Sequence, residues 1–171
     1  VAEELGLPLA LKFGAARGVN PHMRLGGDGM EDPSGLVQNL RRLCANFPRV
    51  KFLATFLGRA SQHEAAVLAN KFRNLHLYGC WWFCNNPSMI DSITSMRVEL
   101  LGTAFTAQHS DARVLDQLIY KWEHSRAVVG NALAAKYRDL VATGCWPLTR
   151  ADVDRDVRRL LGGSYEEFLA K

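Results

Sequence analysis

The feature that most constrains the fold is an alternation of short apolar runs with amphipathic helical stretches. Four runs are apolar on consecutive residues and are predicted to be strands, at residues 7–18, 50–58, 74–83 and 103–110. A helical stretch follows each of them. Strands that are apolar on both faces are typical of a parallel sheet covered by helices on both sides. The sequence therefore predicts an α/β protein.

Helix boundaries are indicated by capping residues. Ser34 is the expected cap of the first helix, and Gly102 is expected to end the third. Residues 111–141 are long enough for one bent helix or two in series, and two further helices are predicted at the C-terminus. Capping-box patterns occur at Ser61 with Glu64, Ser88 with Asp91, Thr149 with Asp152, and Ser164 with Glu167.

Two α/β architectures fit this pattern. One is an open doubly wound sheet, and the other is part of a (β/α)8 barrel, which needs about 250 residues when complete. The chain has 171 residues, enough for one sizeable core in a single domain. Length by itself favours the open sheet.

Composition excludes several classes of protein. The net charge of +4 is spread along the chain rather than massed, so a nucleic-acid partner is not expected. No apolar run approaches the length of a membrane span, and the N-terminal residues do not resemble a secretory signal. The four cysteines lack a CxxC pair and the density of a disulfide scaffold. We expect reduced thiols, no membrane association and a cytoplasmic location.

Polar and aromatic side chains follow each of the four predicted strands. In a barrel, the carboxyl ends of the strands and the loops after them carry the chemistry. The residues at these positions are Arg17, Arg59, Trp81, Trp82, His109, Asp111 and Arg113. The sequence therefore predicts a functional site formed by the strand ends.

Each residue also has a structural interpretation. Arg17 and Arg59 could be solvated loop charges, and His109 a hydrogen-bonded structural histidine. Adjacent strand residues face opposite ways, so at most one of Trp81 and Trp82 can point into a barrel. A carboxylate at the end of a buried strand is costly without a cation or ligand, which favours a role for Asp111. The alternative for Asp111 is the N-cap of the helix that follows.

Two other sites are disfavoured. The glycine-rich loop at residues 24–35 has neither a P-loop nor a GxGxxG arrangement, and its acidic residues would repel phosphate. Cys80 and Cys84 could share a strand face as a zinc clip. However, an Asn-Asn-Pro turn follows them closely, and no second pair of ligands appears in the sequence.

The motifs "GCWWF" and "HSDAR", followed by a long helix with "HSR", resemble the C-terminal half of the uronate isomerases. These enzymes are members of the amidohydrolase superfamily of metal-dependent (β/α)8 barrels. The segments "LALKFGAARG" and "FLATFLGRASQHE" are similar to the fifth and sixth strands of that barrel. The resemblance covers nearly all of the chain. It implies that residues 1–171 are strands five to eight of a (β/α)8 TIM-type barrel, with extra C-terminal helices.

The resemblance also implies roles for individual residues. Asp111 would be the catalytic aspartate beside a divalent metal, for which zinc is expected, and one of its ligands. Arg113 and Arg59, and more loosely Arg17, would bind the substrate carboxylate or hydroxyl groups. Trp81 or Trp82 would form an apolar wall of the sugar pocket. A guanidinium suits a planar carboxylate because it can donate two parallel hydrogen bonds.

The sequence departs from the family pattern at two points. Lys12 stands where the family has a histidine, and it could be carbamylated, act as a base or pair with a carboxylate. The His-x-His pair of the first strand is absent from the five histidines. We therefore expect this chain to be part of a longer enzyme, or to form a homo-oligomer in which a second copy completes the barrel, because a half barrel leaves strand edges open.

Three functions follow from this resemblance. The first is aldose–ketose isomerisation of a hexuronate, such as D-glucuronate to D-fructuronate, assisted by a metal. The second is another amidohydrolase reaction, a metal-dependent hydrolysis or a decarboxylation, that uses the same Asp111. The third is a non-catalytic half barrel that binds sugar acids or serves as an interaction module.

Overall fold

The computed structural model describes residues 1–171 and contains short strands and six α-helices. The strands are β1 (Leu9–Phe13), β2 (Ala15–Ala16), β3 (Gly29–Met30), β4 (Phe52–Phe56) and β5 (Leu75–Leu77). The helices are α1 (Leu36–Asn46), α2 (Gln62–Lys71), α3 (Pro87–Leu101), α4 (Leu115–Ala142), α5 (Arg150–Arg158) and α6 (Ser164–Ala170). The predicted α/β class is confirmed. The chain divides into two compact units, Val1–Leu77 and Tyr78–Lys171.

The first unit is built on a parallel sheet with the strand order β1-β4-β5. Leu9 is in register with Phe52, which is in turn in register with Leu75. Every residue of the central strand β4 is buried, as a continuous apolar run predicts. Three of the four predicted strands are therefore confirmed, each shorter than its apolar run. A small antiparallel pair, β2 with β3, was not predicted.

Strand β1 differs from the sequence prediction, because it is not covered on both faces. It lies at one edge of the sheet, and Leu9 keeps 39% of its surface exposed. Ala10 and Lys12 are exposed as well. An exposed apolar edge strand is a surface that proteins usually cover or pair.

The C-terminal end of α1 is held by a side chain from outside the helix. The Asn74 amide nitrogen Nδ2 lies 3.1 Å from the carbonyl oxygens of Cys44 and Phe47, and 3.2 Å from that of Val50. The last carbonyls of a helix have no partner within the helix. Asn74, which directly precedes β5, therefore connects the end of α1 to the start of the sheet.

The prediction of a fourth strand at residues 103–110 is wrong. In residues 103–110 strand pairing is limited to a single parallel bridge between Thr106 and Tyr78, and the Gly79 N–H donates to the Thr106 carbonyl at 2.8 Å. The segment thus pairs with residues 78–79 at one point without forming a ladder.

The neighbours of this segment explain the missing ladder. The Ala107 N–H donates to the Leu160 carbonyl at 2.9 Å, and the Ser164 hydroxyl donates to the Phe105 carbonyl at 2.8 Å. Both partners come from the C-terminal helical region. Backbone groups that a strand would use for pairing are therefore bonded to helices, which satisfies them in a different way.

Capping residues were predicted with mixed success. The box of Thr149 and Asp152 is confirmed, with both reciprocal hydrogen bonds present, and Gly102 ends α3 as expected. The cap of α3 is Asn86, whose side chain accepts from the Met89 N–H at 3.1 Å. The prediction of side-chain caps is wrong at four serines, which do not cap their helices: Ser34, Ser61, Ser88 and Ser164.

The long stretch after residue 111 forms one continuous helix, α4, rather than two. No helix combines the length and the apolar character that crossing a bilayer requires. The four cysteines are free thiols, as expected, and only Cys145 is exposed. Burial raises the pKa of the Cys44 thiol to about 11, so this thiol is inert near neutral pH.

Candidate functional site

In the first unit, the carboxyl ends of β1 and β4 lie side by side. Phe13 and Phe56 are in register, and their rings stack with centroids 4.8 Å apart. The Leu57 N–H donates to the Phe13 carbonyl at 2.9 Å. The two loops that leave these strands therefore start at the same edge of the sheet, as parallel pairing requires.

Arg17 and Arg59 both follow these strand ends and are exposed. The Arg17 guanidinium forms an ion pair with the Asp28 carboxylate, which is nearly buried. The same carboxylate accepts from the Gly18 N–H at 3.0 Å. Arg17 and Asp28 thus close the loop between β2 and β3, so a bound anion would compete with Asp28 for Arg17.

Lys12 lies within β1, in register with Thr55 of β4. Its side chain is exposed, whereas Thr55 is fully buried. Lys12 therefore projects from the edge strand near its carboxyl end.

In the second unit, the two tryptophans follow the last strand in the sequence and are not part of a strand. Strand β5 ends at Leu77, and a 3-10 turn covers Trp82–Cys84. The prediction that both indoles belong to a strand is therefore wrong. Trp81 has extended backbone and is 5% exposed, and Trp82 is half-buried with a positive φ of 46°. Their ring centroids are 6.1 Å apart.

His109 joins this aromatic group. Its ring centroid lies 5.0 Å from that of Tyr78 and 6.0 Å from that of Trp81. The ring packs directly over Gly79, where a Cβ atom would be only 2.2 Å from His109 Cδ2. Gly79, with a φ of +70°, is thus required both by its backbone conformation and by the close approach of the imidazole.

Asp111 is one of three non-glycine residues with left-handed backbone, with a φ of 47°. Helix α4 begins at Leu115 with Val114 as its N-cap, so the alternative interpretation of Asp111 as a helix cap is wrong. Left-handed residues other than glycine cost about 1–3 kcal/mol and are concentrated at functional sites. Its half-buried carboxylate lies close enough to Tyr78 for the two groups to interact electrostatically.

Tyr78 was not predicted as a site residue from the sequence. Burial, and then the negative charge of Asp111, raise the pKa of the Tyr78 hydroxyl. Its position directly after a buried strand, in "LYGCWWF", is the signal that could have identified it. Arg113 is exposed, and its backbone N–H donates to the Gln117 side-chain oxygen at 2.9 Å.

The predicted site residues therefore fall into two groups. Lys12, Arg17 and Arg59 belong to the first unit. The second unit brings together Trp81, Trp82, His109 and Asp111, together with the unpredicted Tyr78, while Arg113 lies on the surface two residues after Asp111.

The chain does not form a metal site from its own residues. It contains no group of three or more His, Cys, Asp or Glu side chains that could hold a metal ion. Asp111 could therefore contribute at most one ligand to a site whose other ligands come from other residues.

Fold and site together define a class: α/β proteins whose loops after parallel strands carry carboxylate, guanidinium and aromatic side chains. Among solved structures, the chain is similar to the uronate isomerase of Bacillus halodurans, with 43% identity and a TM-score of 0.92. The match covers 99% of this chain and 40% of that protein. The resemblance to the uronate isomerases is thereby confirmed: the chain matches a segment of these isomerases along almost its whole length.

Two further structures share the fold. A uronate isomerase of Thermotoga maritima matches with a TM-score of 0.78 at 19% identity, covering 98% of this chain and 37% of that one. A glucuronate isomerase of Caulobacter crescentus matches with a TM-score of 0.75 at 21% identity, covering 97% and 36%. No family model and no curated protein matches the sequence. The neighbour at 43% identity is a uronate isomerase, and the two more distant structures show the shared fold alone.

Proposed function

We propose that this chain is the C-terminal half of the barrel of a uronate isomerase, which interconverts an aldose and a ketose hexuronate such as D-glucuronate and D-fructuronate. The observation that carries the proposal is the 43% identity with a uronate isomerase over 99% of the chain. The chain spans 40% of the length of that relative. The activity therefore belongs to the whole protein.

The half-barrel part of the proposal assigns β1, β4 and β5 to the fifth, sixth and seventh barrel strands, and residues 103–110 to the eighth position. The exposed edge of β1, where Leu9 keeps 39% of its surface exposed, supports pairing of β1 with a further strand. We propose that the N-terminal half of the barrel or a second copy of the chain supplies it.

The chemistry of the reaction indicates what each residue would do. In the open-chain aldose, a base removes the proton from the carbon next to the aldehyde and returns it to the aldehyde carbon. The hydroxyl proton of the neighbouring carbon passes to the aldehyde oxygen, so that the C=O double bond moves from the aldehyde carbon to its neighbour. Asp111 is our candidate for the group that moves the proton between the two carbons. Its left-handed backbone conformation beside Tyr78 supports this role, because backbone strain of this kind is concentrated at functional sites.

The remaining residues would bind the sugar acid. Arg113 and Arg59 are exposed guanidiniums that can each donate two parallel hydrogen bonds to a carboxylate. Arg17 is less available, because Asp28 already engages it. The half-buried Trp82 offers an apolar face to a sugar ring, whereas Trp81 is mostly enclosed.

A divalent metal, with zinc as the expected ion, remains part of the proposal for the whole enzyme. It would act as a Lewis acid toward the sugar oxygens. This chain on its own does not fit a metal site, because Asp111 lacks two further ligand side chains beside it. No step assigned to the residues of this chain depends on the metal.

The test is to incubate the full-length protein with D-glucuronate or D-galacturonate and to measure the ketose formed, with and without a chelator. Formation of the ketose supports the proposal. Release of carbon dioxide or hydrolysis of a lactone, without ketose, would instead identify another amidohydrolase reaction. Binding of a uronate without turnover would identify a binding module.

Asp111→Asn should lower kcat by at least about 10²-fold, the scale of a lost general base, because the amide cannot accept the proton. Glu123→Gln is the matched control, since Glu123 is an exposed carboxylate on α4 with no proposed role. An Asp111→Asn enzyme with near-normal kcat would remove Asp111 from the reaction.

Arg113→Lys should raise KM for the uronate with little change in kcat, because the bidentate fork is lost while the charge is kept. Arg126→Lys, at an exposed arginine on α4, serves as the control. An unchanged KM in Arg113→Lys would argue against carboxylate recognition by this residue.

A further inference from the structure

A fully buried arginine lies beneath the loops that carry the candidate site of the second unit. Arg97, on α3, has no exposed surface. Its Nη1 donates to the Gly79 carbonyl at 3.1 Å, and its guanidinium carbon lies 5.7 Å from the centre of the Phe105 ring. A buried charge is costly unless such partners compensate it.

The glycine that Arg97 binds connects two segments through both of its backbone groups. The Gly79 N–H donates to the Thr106 carbonyl at 2.8 Å, while the Gly79 carbonyl accepts from Arg97. On the opposite side, the His109 ring packs against the same glycine. Residues 78–82, which carry both tryptophans, and residues 105–111, which carry Asp111, therefore meet at Gly79.

Arg97 stays positively charged because a guanidinium is strongly basic, although its surroundings disfavour the charge. Burial lowers the pKa of its guanidinium, and the nearby thiols of Cys80 and Cys84 act in the opposite direction. A guanidinium remains protonated in proteins, so the donor to Gly79 persists at all working pH values. A fully buried, permanently charged donor holds the carbonyl in one place more firmly than a neutral group does.

We propose that Arg97 is a positioning residue for the isomerase reaction: it fixes Gly79 and thereby aligns the Trp81–Trp82 turn with the segment that carries Asp111. This inference rests on the proposed function for its catalytic consequence. The structural part of the inference, that Gly79 couples the two segments, is independent of the proposed function.

The kinetic test uses Arg97→Met and Arg97→Lys in the full-length protein, with rates expressed per folded molecule. Misplacement of a reacting group by about 1 Å can cost about 10²-fold in rate, so Arg97→Met should lower kcat on that scale. Arg97→Lys keeps the charge and should recover part of the loss. A kcat within about twofold of the wild-type value in a folded variant would overturn the proposal. If Arg97→Met does not fold, Arg97→Lys decides.

A control and a second measurement separate positioning from general stability. Tyr137→Phe removes a 2.9 Å hydrogen bond between α4 and α5, and should lower Tm without changing kcat per folded molecule. In Arg97→Lys, hydrogen exchange of peptides 78–84 and 105–111 should be about tenfold faster or more, because the charged donor to Gly79 is weakened. Faster exchange in α3 alone would refute the coupling.

The two hypotheses can fail separately. A wild-type protein that converts no hexuronate refutes the proposed function, and the exchange measurement then decides the role of Arg97 by itself. An active wild-type enzyme with unperturbed Arg97 variants refutes the positioning role and leaves the function standing.

Discussion

Gly79→Ala is the sharpest test of how the candidate site of the second unit is packed. A Cβ atom at this position would lie 2.2 Å from Cδ2, 3.0 Å from Cγ and 3.0 Å from the backbone nitrogen of His109. Rotation of the imidazole can relieve the first two contacts. It cannot relieve the third, so the backbone of one segment must shift.

Two terms set the expected loss of stability. Placing alanine at a φ of +70° costs about 1–2 kcal/mol, because the Cβ atom crowds the backbone in the left-handed region. Crowding a packed site costs about 1–3 kcal/mol more. The sum, about 2–5 kcal/mol, should lower the urea midpoint by about 1–2.5 M if the slope is about 2 kcal/mol per M.

Gly144→Ala supplies the matched control. Gly144 has a φ of +69°, and a Cβ atom added there would meet no other atom within 4 Å. It therefore carries the conformational cost without the collision. The difference between the two variants isolates the steric term, about 1–3 kcal/mol, because the change in the unfolded chain is common to both.

A double variant locates the collision. His109→Ala should restore part of the stability lost in Gly79→Ala, because it removes the two ring atoms from contact while the backbone nitrogen remains. If Gly79→Ala unfolds at the same urea concentration as Gly144→Ala, then the imidazole does not pack on this glycine and the described site is wrong.

The remaining predictions concern stability away from the site. Asn74→Ala should lower the free energy of unfolding, measured in urea, by about 1–3 kcal/mol, because the hydrogen bonds from its amide to the carbonyls of Cys44, Phe47 and Val50 are lost; a loss below about 0.5 kcal/mol would contradict this role. Burial, followed by the hydrogen bond to Asp156, raises the pKa of Tyr137. Below about pH 10, which is the ordinary pKa of tyrosine, Tyr137 is protonated in both states and its full contribution to the stability of the fold is present. Above that pH the unfolded chain loses the tyrosine proton before the folded protein does, so the free energy of unfolding falls as pH rises. Tyr137→Phe should show a shallower alkaline decline in Tm between about pH 9 and 11; an identical pH profile would refute this assignment.

Local sequence signals predicted side-chain caps only where the local backbone agreed with them. Thr149 and Asp152 form the predicted capping box, because both groups lie within one turn and Thr149 has extended backbone. Ser61 matches the same pattern, but its backbone is helical, with φ −84° and ψ −8°, and its side chain forms no cap. The capping pattern is necessary for such a box, but it does not fix the backbone angles.

The fourth strand shows the same limit at longer range. Residues 103–110 have the composition of a buried strand, but their backbone partners are Leu160 and Ser164, which lie over 50 positions away in the sequence. Composition predicts burial, and burial is observed at Phe105 and Ala107. It cannot predict which partners will satisfy the buried N–H and C=O groups.

The candidate site was predicted in part. Strand-end position identified Trp81, Trp82, His109 and Asp111, which the structure groups in one unit. It missed Tyr78 and Arg97. Arg97 was missed because an arginine on a helix is ordinarily expected at the surface. Its burial depends on contacts with Gly79 and Phe105, which the sequence does not reveal.

By itself, the sequence determined the α/β class, three of the four strands that it predicted, and the resemblance to the uronate isomerases. These depend on composition, on periodicity and on short motifs, which are local properties of the chain. Tertiary structure alone decided that the fourth run is not a strand, that β1 is an exposed edge, and that His109 packs on Gly79 above a buried Arg97. Each of these depends on which distant groups meet, because hydrogen bonds and close packing are satisfied between segments rather than within them.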